Sequence, residues 1–483
     1  MKVLVANRGE IACRVLKTLR QSGIPSVSVY TEPDAEAPHV WLADERQAIG
    51  EPRAYLDIQA ILGAVKATGA TAVHPGYGFL SENADFVRAC EEAGVTFIGP
   101  SPEAMETFGD KRAARQVAEK AGVPVVPGAE ACDTLEEARD VSAAIGFPVL
   151  VKAAGGGGGK GMRRVDAAED LEEAFHSAAR EAQAAFNDPR LLVEKYVYPA
   201  RHVEVQILGD GTNAVVVGDR ECSLQRRYQK VIEEAPCAAI SDEERAAIYD
   251  SARTLICAVG YLGAGTVEFL VGPDGAHYFL EVNTRLQVEH PITEFVTGMD
   301  LVAAQISLAQ GGALPVVPPQ RGHAMEARLN AEDAYNGYLP QSGDILMLEW
   351  PQLPFIRIDS GVAQGGSISP HYDSMIAKII SWGDTREEAR TRLIAALEGL
   401  TLLGVTTNQS FLLDILKAPF FEEGDTFTTT VEAETWSAPE VPALAEFVGQ
   451  RELQKPARRA APAGGNVDAF SPWDGLGSFR MGE

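Results

Sequence analysis

The sequence is poor in cysteine and contains none of the closely spaced cysteine pairs on which many zinc and redox sites depend. Its 483 residues include six cysteines, none of them in a C-x-x-C pair, and most lie among apolar residues. Cysteines in such surroundings are typical of the reduced core of a cytosolic protein. We therefore predict a cytoplasmic protein without a disulfide framework.

Positive charge is also scarce. The chain has 42 lysines and arginines against 68 aspartates and glutamates, and its formal net charge is −26. This excess of negative charge argues against sequence-independent binding of nucleic acid and against docking on an acidic membrane surface. An anionic substrate would therefore need a pocket that is locally basic.

Long apolar runs are absent, so the sequence predicts no transmembrane helix. The first apolar run, VLVA, ends at the charges of NRGE, so no secretion signal is expected either. A chain of this length instead predicts about two to four globular domains.

Two familiar nucleotide-binding motifs are missing. Residues 2–6, 11–21 and 27–30 predict a strand, a helix and a strand, which indicates a βαβ unit and a parallel sheet. The turn of this unit lacks the G-x-G-x-x-G pattern, which argues against a nicotinamide cofactor. Elsewhere no G-K-[ST] opens a helix, so a Walker A loop is not expected.

A run of five glycines, residues 155–159, lies between two predicted strands, and the first strand carries Lys152. Glycines let backbone N–H groups crowd around an anion, while Lys152 and Lys160 add positive charge on either side. Such a run can also be a flexible linker. The strands on both sides favour a phosphate-covering loop.

The stretch from Gly263 to Pro291 predicts a β-hairpin. VEFLV and HYFLEV are apolar runs, and Asp274-Gly275 between them is a strong signal for a tight turn. A two-residue loop at this place fixes the register. The facing pairs are then Glu268 with Glu281, Leu270 with Phe279, and Val271 with Tyr278.

The facing carboxylates Glu268 and Glu281 need compensation, because direct cross-strand partners have Cβ atoms roughly 5 Å apart and like charges there repel. One carboxylate could be protonated, a cation could lie between them, or both could be solvated charges at a strand end. Asn283 is expected on the same face, and two carboxylates with an amide oxygen suit Mg²⁺ or Mn²⁺. The same alternation then continues through Arg285, Gln287 and Glu289.

These motifs, in their order and spacing, resemble those of biotin carboxylase, the ATP-grasp component of biotin-dependent carboxylases. The segments that carry the resemblance are ANRGEIACRV, HPGYGFLSEN, GDK, KAAGGGGGKGMR, EKYV, RHVEVQ, EFL, LEVNTRLQVEHPITE, RLNAED and HYDSMIAK. They cover nearly all of residues 1–430. The combination of VNTRLQVEHP with RLNAED is highly specific.

The resemblance implies a multidomain chain of the α/β and α+β classes. A Rossmann-like N-terminal domain is expected over residues 1–109 and an ATP-grasp domain with a glycine-rich lid over residues 110–315. A C-terminal biotin carboxylase domain is expected over residues 316–432, and residues 433–483 are expected to be a linker and tail.

The resemblance also implies an ATP-dependent ligase that uses MgATP, bicarbonate and carrier-bound biotin, with a lid that closes over the phosphates. It implies that Glu289 is the general base for bicarbonate and that Arg328 stabilises the biotin enolate. Lys230 and Arg285 are implied as further catalytic residues. The implied metal ligands are Glu268, Glu281 and Asn283. The implied ATP-binding residues are Lys111, Lys152, Gly158, Gly159, Glu194, Lys195, Tyr196, Val197, His202, Gln225 and Tyr228. The implied bicarbonate and biotin residues are Lys230, Arg285, Gln287, Val288 and Arg328.

The sequence departs from the family pattern at Tyr228, where the family usually has His. Tyrosine can stack or donate a hydrogen bond, but it cannot carry a positive charge. No A-M-K-M biotinylation motif is present and no lysine follows Lys455, so the biotin is expected on another chain or on an extension. The final SPWDGLGSFRMGE is similar to the segment that precedes the carrier region in acyl-CoA carboxylase α chains.

The partners implied by the resemblance are a biotin carboxyl carrier, a carboxyltransferase subunit and a second copy of the chain in a homodimer. Two other functions fit part of the pattern. Another ATP-grasp ligase would share the glycine loop, but VNTRLQVEHP and RLNAED argue against it. A non-catalytic scaffold that binds nucleotide should have lost some catalytic and metal-binding residues, and Glu268, Glu281, Arg285 and Glu289 are all present.

Overall fold

The described residues of this computed structural model form three sheets of four or more strands. The structure describes residues 1–153, 162–186, 189–227 and 229–440. Residues 1–437 form one unit, to which the following description applies. Gly158, Gly159 and Tyr228, the rest of the expected lid loop and most of the expected tail lie outside the described residues.

The N-terminal part contains the predicted βαβ unit within a five-stranded parallel sheet. The strands are β1 (Val3–Val5), β2 (Ser26–Thr31), β3 (Glu45–Gly50), β4 (Ala72–His74) and β5 (Thr96–Phe97), in the order β3-β2-β1-β4-β5. The helices are α1 (Gly9–Gln21), α2 (Pro38–Leu42), α3 (Ile58–Thr68), α4 (Ala84–Glu92) and α5 (Pro102–Gly109). Short 3₁₀ turns span Glu32–Asp34 and Pro52–Leu56. Helix α1 forms because Ile11, Val15 and Leu19 recur on one face, which is buried.

A small antiparallel sheet follows, in the order β6-β9-β7-β8. Its strands are β6 (Gly128–Cys132), β7 (Val149–Ala153), β8 (Arg163–Val165) and β9 (Leu191–Lys195), and its helices are α6 (Lys111–Lys120), α7 (Leu135–Ile145) and α8 (Leu171–Phe186), with a 3₁₀ turn at Ala168–Asp170. Strands β7 and β8 pair on either side of the glycine run. The prediction of a strand before and after the glycines is therefore confirmed.

An eight-stranded sheet occupies the rest of the unit, in the order β14-β13-β10-β11-β12-β15-β22-β20. Its first part contains β10 (Arg201–Asp210), β11 (Ala214–Arg226), β12 (Gln229–Ala235), α9 (Asp242–Val259), β13 (Leu262–Val271), β14 (His277–Asn283), α10 (His290–Thr297) and α11 (Leu301–Ala309). Alternate residues of β10, such as Val203, Val205 and Ile207, pack in an apolar core with α9. The polar residues between them project from the opposite face.

The remaining elements extend this sheet. They are β15 (His323–Asn330), β16 (Glu332–Asp333), β17 (Leu339–Pro340), β18 (Gly343–Asp344), β19 (Met347–Glu349), β20 (Ile356–Ser360), β21 (Ser367–Ile368), β22 (Met375–Gly383), α12 (Arg386–Glu398), β23 (Thr401–Leu403), α13 (Gln409–Lys417), α14 (Pro419–Glu423) and α15 (Thr430–Ala433). Strands β12 and β15 pair with Ile232 opposite Ala327, so the sheet continues across the predicted domain limit at residue 315. The domain limits themselves stay a prediction.

The hairpin of β13 and β14 is confirmed, but its loop is not the predicted one. Gly272 N donates to Ala276 O at 2.8 Å, so three residues form the loop, and Gly275 adopts a positive φ of 77°. The predicted pairs of Val271 with Tyr278 and Leu270 with Phe279 are wrong, since Leu270 faces Tyr278. A β-bulge at Leu280 shifts the register back, so Glu268 faces Glu281 as predicted.

Helices α10 and α11 lie directly after the predicted site. Ile292 and Val296 of α10 pack against Ala324 and Ile380 of the large sheet. In the described parts of the chain, no single helix is long and apolar enough to cross a membrane, and only the bent pair α10 and α11 reaches that length and composition together, with an angle of 97° between them.

Gly361 sets how closely β20 approaches the start of α1. A Cβ atom at this position would lie 2.4 Å from the amide nitrogen of Glu10 and 2.5 Å from the carbonyl carbon of Gly9. Both are backbone atoms, so no side chain can move aside. The close approach also brings Glu10 toward Lys378, whose Nζ lies 3.2 Å from the Glu10 carboxylate.

We predict that Gly361→Ala destabilises the protein by about 1–3 kcal/mol, because the added methyl group forces α1 and β20 apart. The measurement is the midpoint of thermal unfolding. Gly63→Ala is the matched control, because Gly63 is exposed within α3 and nothing lies within 4 Å of its added Cβ. It should stabilise by about 0.5–1 kcal/mol. Shifts of the same sign in both variants would contradict the packing argument.

Candidate active site

Glu268 on β13 lies at the centre of a buried polar cluster. Its carboxylate accepts hydrogen bonds from Lys230 Nζ at 3.0 Å, Asn283 Nδ2 at 2.8 Å and Gln287 Nε2 at 2.9 Å. His202 Nε2 lies 2.9 Å from the other carboxylate oxygen. Burial alone would raise the pKa of Glu268, but the charge of Lys230 and the interaction with His202 hold it well below its usual range. Glu268 is therefore ionised.

Glu281 on β14 faces Glu268 but differs from it in charge state. Burial raises the pKa of Glu281, and the charge of Glu268 raises it further, while Lys111 lowers it by a smaller amount. The interpretation of two solvated charges at a strand end does not apply, because Glu268 is only 4% exposed. The protein's own cations compensate Glu268, and Glu281 is shifted toward protonation.

The three expected metal ligands fit a hard divalent cation. Glu268, Glu281 and Asn283 offer oxygen atoms, which are the ligands that Mg²⁺ and Mn²⁺ prefer. Burial and the facing charge of Glu268 raise the pKa of Glu281, and a bound cation would favour its ionised form. Asn283 Oδ1 now accepts from Arg285 Nη2 at 2.9 Å. The Asn283 amide must therefore rotate before its oxygen can face a metal.

Two other groups of side chains lie close enough together to share an ion: His202, Glu204 and Glu268, and Glu204, Cys222 and Glu289. Both groups contain Glu204, which is fully buried and already paired with protein cations. Arg220 donates to one carboxylate oxygen of Glu204, and Lys230 Nζ donates to the other at 2.6 Å. The cluster of Glu268, Glu281 and Asn283 is thus the better candidate for a metal site.

Lys230 on β12 connects the carboxylates of the site. Its Nζ donates to Glu204 Oε2 and to Glu289 Oε1, both at 2.6 Å, and to Gln287 Oε1 at 3.2 Å. Burial would lower the pKa of Lys230, but Glu204, Glu268 and Glu289 raise it well above its usual value. Lys230 therefore remains a cation in a protein whose net charge is strongly negative.

Glu289 lies at the start of α10 and is held between two cations. Lys230 Nζ lies 2.6 Å from Oε1, and Arg328 Nη2 donates to Oε2 at 2.9 Å. Burial opposes ionisation of Glu289, but Lys230, Arg328 and Arg220 outweigh it and hold its pKa well below the usual range. In this arrangement Glu289 is a weak base.

Arg328 on β15 is shared between two carboxylates. Its Nε donates to Glu233 Oε1 at 2.5 Å, and its Nη2 donates to Glu289 Oε2 at 2.9 Å. Burial would lower the pKa of Arg328, yet Glu233 and Glu289 raise it. Arg328 is therefore a fixed cation beside Lys230 and Glu289.

Arg285 and Val288 complete the predicted bicarbonate group. Arg285 Nε donates to Glu82 Oε2 at 2.8 Å, and Glu82 comes from the loop before α4. The backbone oxygen of Val288 accepts from the fully buried Lys378 at 2.8 Å. The backbone between β14 and α10 therefore holds residues 285–289 beside Lys230, although it is not the continuous strand that the alternation suggested.

Several of the predicted ATP-binding residues lie near the small sheet. Lys152 Nζ on β7 lies 2.5 Å from Glu194 Oε2 on the neighbouring strand β9. His202 Nδ1 accepts from Gln225 Nε2 at 2.8 Å, which links β10 to β11. Lys111 begins α6 and is exposed, and its charge acts on Glu281.

Two further side chains of the EKYV segment are engaged in contacts within the protein. Lys195 Nζ donates to the carbonyl oxygens of Gly146 and Phe147, both at 3.0 Å, so this side chain is held at the end of α7. Tyr196 stacks on Tyr198 with ring centroids 5.7 Å apart. Val197 is half-buried and lies two residues after the end of β9. Only the backbone of Lys195 can then take part in nucleotide contacts in this arrangement.

The prediction from sequence missed several members of the polar cluster. Arg220 is fully buried and donates to Glu204, to Gln206 at 2.9 Å and to Thr293 at 2.8 Å. The partners of Arg220 are distant in sequence, so no local pattern points to it. Glu204 could have been identified from sequence as a member of the cluster, because it alternates with apolar residues in RHVEVQ. Glu82 and Glu233, which hold Arg285 and Arg328, were also missed.

Three family models match the chain. "Biotin carboxylase, N-terminal domain" covers residues 1–105, "Carbamoyl-phosphate synthase L chain, ATP binding domain" covers residues 110–317, and "Biotin carboxylase C-terminal domain" covers residues 326–433. Together they span most of the described chain. The models also include the segments that hold the clustered carboxylates and cations.

Curated and solved relatives are similar over most of this chain. Methylcrotonoyl-CoA carboxylase subunit alpha of Dictyostelium discoideum is 43% identical over 99% of this chain and 70% of the relative. Biotin carboxylase 1 of Bacillus subtilis is 45% identical over 89% of this chain and 98% of the relative. The chain spans only 60% of the rice methylcrotonoyl-CoA carboxylase alpha subunit.

A solved structure shares the fold. The biotin carboxylase domain of the Hydrogenobacter thermophilus 2-oxoglutarate carboxylase, described as a dimer with MgADP, ADP and bicarbonate, has a TM-score of 0.84. It is 41% identical and covers 90% of this chain and 99% of that chain. The predicted three-part architecture is therefore confirmed at the level of the fold.

We predict that Glu281→Gln weakens the Mg²⁺ dependence of ATP cleavage and lowers ATP turnover by at least about a hundredfold, because one of two anionic metal ligands is lost. Stability should change little, since relief of the repulsion with Glu268 offsets the lost metal contact. The measurements are ADP release across a Mg²⁺ titration and the midpoint of thermal unfolding.

The matched control is Glu243→Gln, because Glu243 is exposed in the first turn of α9, away from the cluster. It should leave the Mg²⁺ titration unchanged. Normal turnover of Glu281→Gln at saturating Mg²⁺ would rule out Glu281 as a metal ligand.

Proposed function

The chain belongs to the biotin carboxylase family of ATP-dependent ligases, and on this premise we propose that it catalyses the first half-reaction of a biotin-dependent acyl-CoA carboxylase. MgATP activates bicarbonate as carboxyphosphate, and the carboxyl group then passes to biotin on a carrier. The observation that carries the proposal is the contact of one buried carboxylate, Glu289, with both Lys230 and Arg328. This contact supports the proposal, because a carboxylate and two cations lie beside the candidate metal ligands.

Glu289 is the general base of the first step. It takes the proton of bicarbonate while a bicarbonate oxygen attacks the γ-phosphorus, and ADP leaves. The low pKa of Glu289 in the present arrangement requires a change when bicarbonate binds. Bicarbonate between Lys230 and Arg285 would take over the Lys230 contact, and the weaker cationic environment would raise the pKa of Glu289.

The metal ligands act on the same step. Glu268, Glu281 and Asn283 would hold Mg²⁺ or Mn²⁺, which when bound neutralises charge on the transferring phosphoryl group. Gln287 supports both groups, because its Nε2 donates to Glu268 and its Oε1 accepts from Lys230. Gln287 therefore links the proposed bicarbonate-binding residues to the proposed metal ligands.

Arg328 acts in the second step. Carboxyphosphate breaks down to CO₂ and phosphate, and the phosphate removes the proton from N1′ of biotin. Negative charge then gathers on the ureido oxygen, where Arg328 can stabilise it, and N1′ attacks CO₂. Because Glu289 has become neutral in the first step, it no longer competes for Arg328 Nη2. The first step thus prepares the cation for the second.

The nucleotide site takes residues from several elements. We assign Lys111, Lys152, Glu194, His202, Gln225, Tyr196, Val197 and the backbone of Lys195 to ATP binding. The support is their position around β7, β9 and β10, near the candidate metal ligands. Gly158, Gly159 and Tyr228 are assigned to the same function on the resemblance alone, because they lie outside the described residues.

The proposed partners are a biotin carboxyl carrier, a carboxyltransferase subunit and a second copy of this chain. Support for the first two comes from relatives that are α subunits of acyl-CoA carboxylases. Support for the homodimer comes from the H. thermophilus domain, which is described as a dimer. The cytoplasmic location stays a proposal, because the Dictyostelium relative is mitochondrial.

The function is tested by ADP release with and without bicarbonate and free biotin. We expect ATP cleavage that requires bicarbonate, rises with biotin and yields carboxybiotin. Cleavage that is independent of bicarbonate but requires another carboxylate would indicate a different ATP-grasp ligase. Nucleotide binding without turnover would indicate a non-catalytic scaffold.

We predict that Arg328→Ala separates the two half-reactions. It should keep much of its bicarbonate-dependent ATP cleavage but lose a few hundredfold in carboxybiotin formation, because a cation facing an oxyanion contributes roughly 3–4 kcal/mol. Glu289→Ala should lose both activities together, since no carboxyphosphate forms. ADP release and carboxybiotin are measured in the same samples. Equal loss of both activities in Arg328→Ala would place Arg328 in the bicarbonate step instead.

A further inference from the structure

Another pair of carboxyl groups faces across the large sheet, next to Arg328. Glu233 on β12 is the cross-strand partner of Glu326 on β15. Both side chains are fully buried, with 0% exposure. Two ionised carboxylates in this position would repel each other strongly in the absence of water.

The hydrogen bonds of the pair are unequal. Glu233 Oε1 accepts from Arg328 Nε at 2.5 Å, whereas Glu233 Oε2 has no partner among the described residues. Within the same part of the chain, neither carboxyl oxygen of Glu326 has a hydrogen-bond partner. A buried carboxylate without donors is expensive, whereas a neutral carboxylic acid is tolerated far better.

Charged groups from every neighbouring element act on Glu326. The charges with the largest effect are Glu233 on β12, Arg328 on its own strand, Lys378 on β22 and Glu289 at the start of α10. Lys378 itself lies opposite Asp359 of β20 and beside Glu10 of α1, and His290 follows Glu289 on α10. Lys378 is already bound to Glu10 and to the backbone of Val288. His290 is neutral, because burial lowers its pKa well below the usual value. Arg328 therefore faces more carboxyl groups than its charge can balance.

We propose that Glu326 holds one proton, so that Glu233 and Glu326 together carry a single negative charge, and that Glu326 acts as a positioning residue that keeps Arg328 available to the biotin enolate. The inference rests on the proposed function of Arg328. Glu233 anchors the guanidinium, and neutral Glu326 adds no second anion. Nη2 also lies 2.5 Å from Glu233 Oε1, so the substrate replaces only the contact of Nη2 with Glu289.

The pair also gives the second half-reaction a dependence on pH. Loss of the Glu326 proton at high pH adds a negative charge beside Arg328, which weakens the attraction of the guanidinium for the enolate oxygen and favours its contact with the carboxyl pair. Burial is the largest cause that raises the pKa of both carboxyls, to about 7 for Glu233 and well above the usual value for Glu326. Carboxybiotin formation should therefore fall at alkaline pH before bicarbonate-dependent ATP cleavage does.

The proton itself can be observed without any assay of activity. A protonated carboxylic acid has an infrared carbonyl stretch that a carboxylate lacks. We expect a difference spectrum between the wild-type protein and Glu326→Gln at neutral pH to contain this acid band. Absence of the band would overturn the proposal and leave the proposed function untouched, because biotin takes no part in the measurement.

The pH profile tests the consequence for catalysis. In wild type, carboxybiotin formation should fall by up to about tenfold per pH unit above the apparent pKa of the pair. Glu326→Gln, which has no proton to lose, should match wild type within about twofold near neutral pH and keep its activity at higher pH. Profiles that superimpose in wild type and variant would overturn the proposal.

Two further variants separate positioning from simple packing. Glu326→Leu, also neutral and without a hydrogen bond to lose, should show the same flattened profile as Glu326→Gln. Glu221→Gln is the matched control, because Glu221 and Glu234 form another cross-strand pair of the same sheet, bound to Arg201, Thr426 and Arg386. Its profile should follow wild type. Flattening in Glu221→Gln as well would show that the effect is not specific to the pair next to Arg328.

Discussion

Repulsion between buried carboxylates that face each other across one sheet is the constraint on which the rest of this site depends. Like charges on direct cross-strand partners are unfavourable, and burial makes them more so. Among its described residues the large sheet nevertheless contains four such pairs: Glu204 with Glu268, Glu268 with Glu281, Glu233 with Glu326, and Glu221 with Glu234. The positions of the buried lysines and arginines follow from the need to compensate them.

The compensation differs among the pairs, and the difference relates to function. Lys230 and His202 hold Glu268 ionised, and this leaves Glu281 as the partner that gains from a metal ion. Arg328 holds Glu233, while Glu326 has no donor. Cations recruited to stabilise buried carboxylates are thereby available to bind anionic substrates, even though the protein as a whole is strongly acidic.

The central pair could be predicted from sequence, because a hairpin brings residues together that lie close along the chain. Its register was nevertheless obtained through two errors that cancelled, since a longer loop and a bulge at Leu280 were both missed. Arg220 and Glu233 could not be predicted, because their partners lie on distant strands. The contact of the Lys195 side chain with the end of α7 could not be predicted either, because the two segments lie far apart in sequence.

The central claim is that substrates take over the cations that the carboxylates hold in their absence. The most direct measurement is a crystal structure of this protein with MgADP and bicarbonate. The account predicts that bicarbonate contacts Lys230 and Arg285, and that Lys230 Nζ moves away from Glu289 Oε1 beyond the present 2.6 Å. Bicarbonate bound elsewhere, with the contact of Lys230 and Glu289 unchanged, would contradict it.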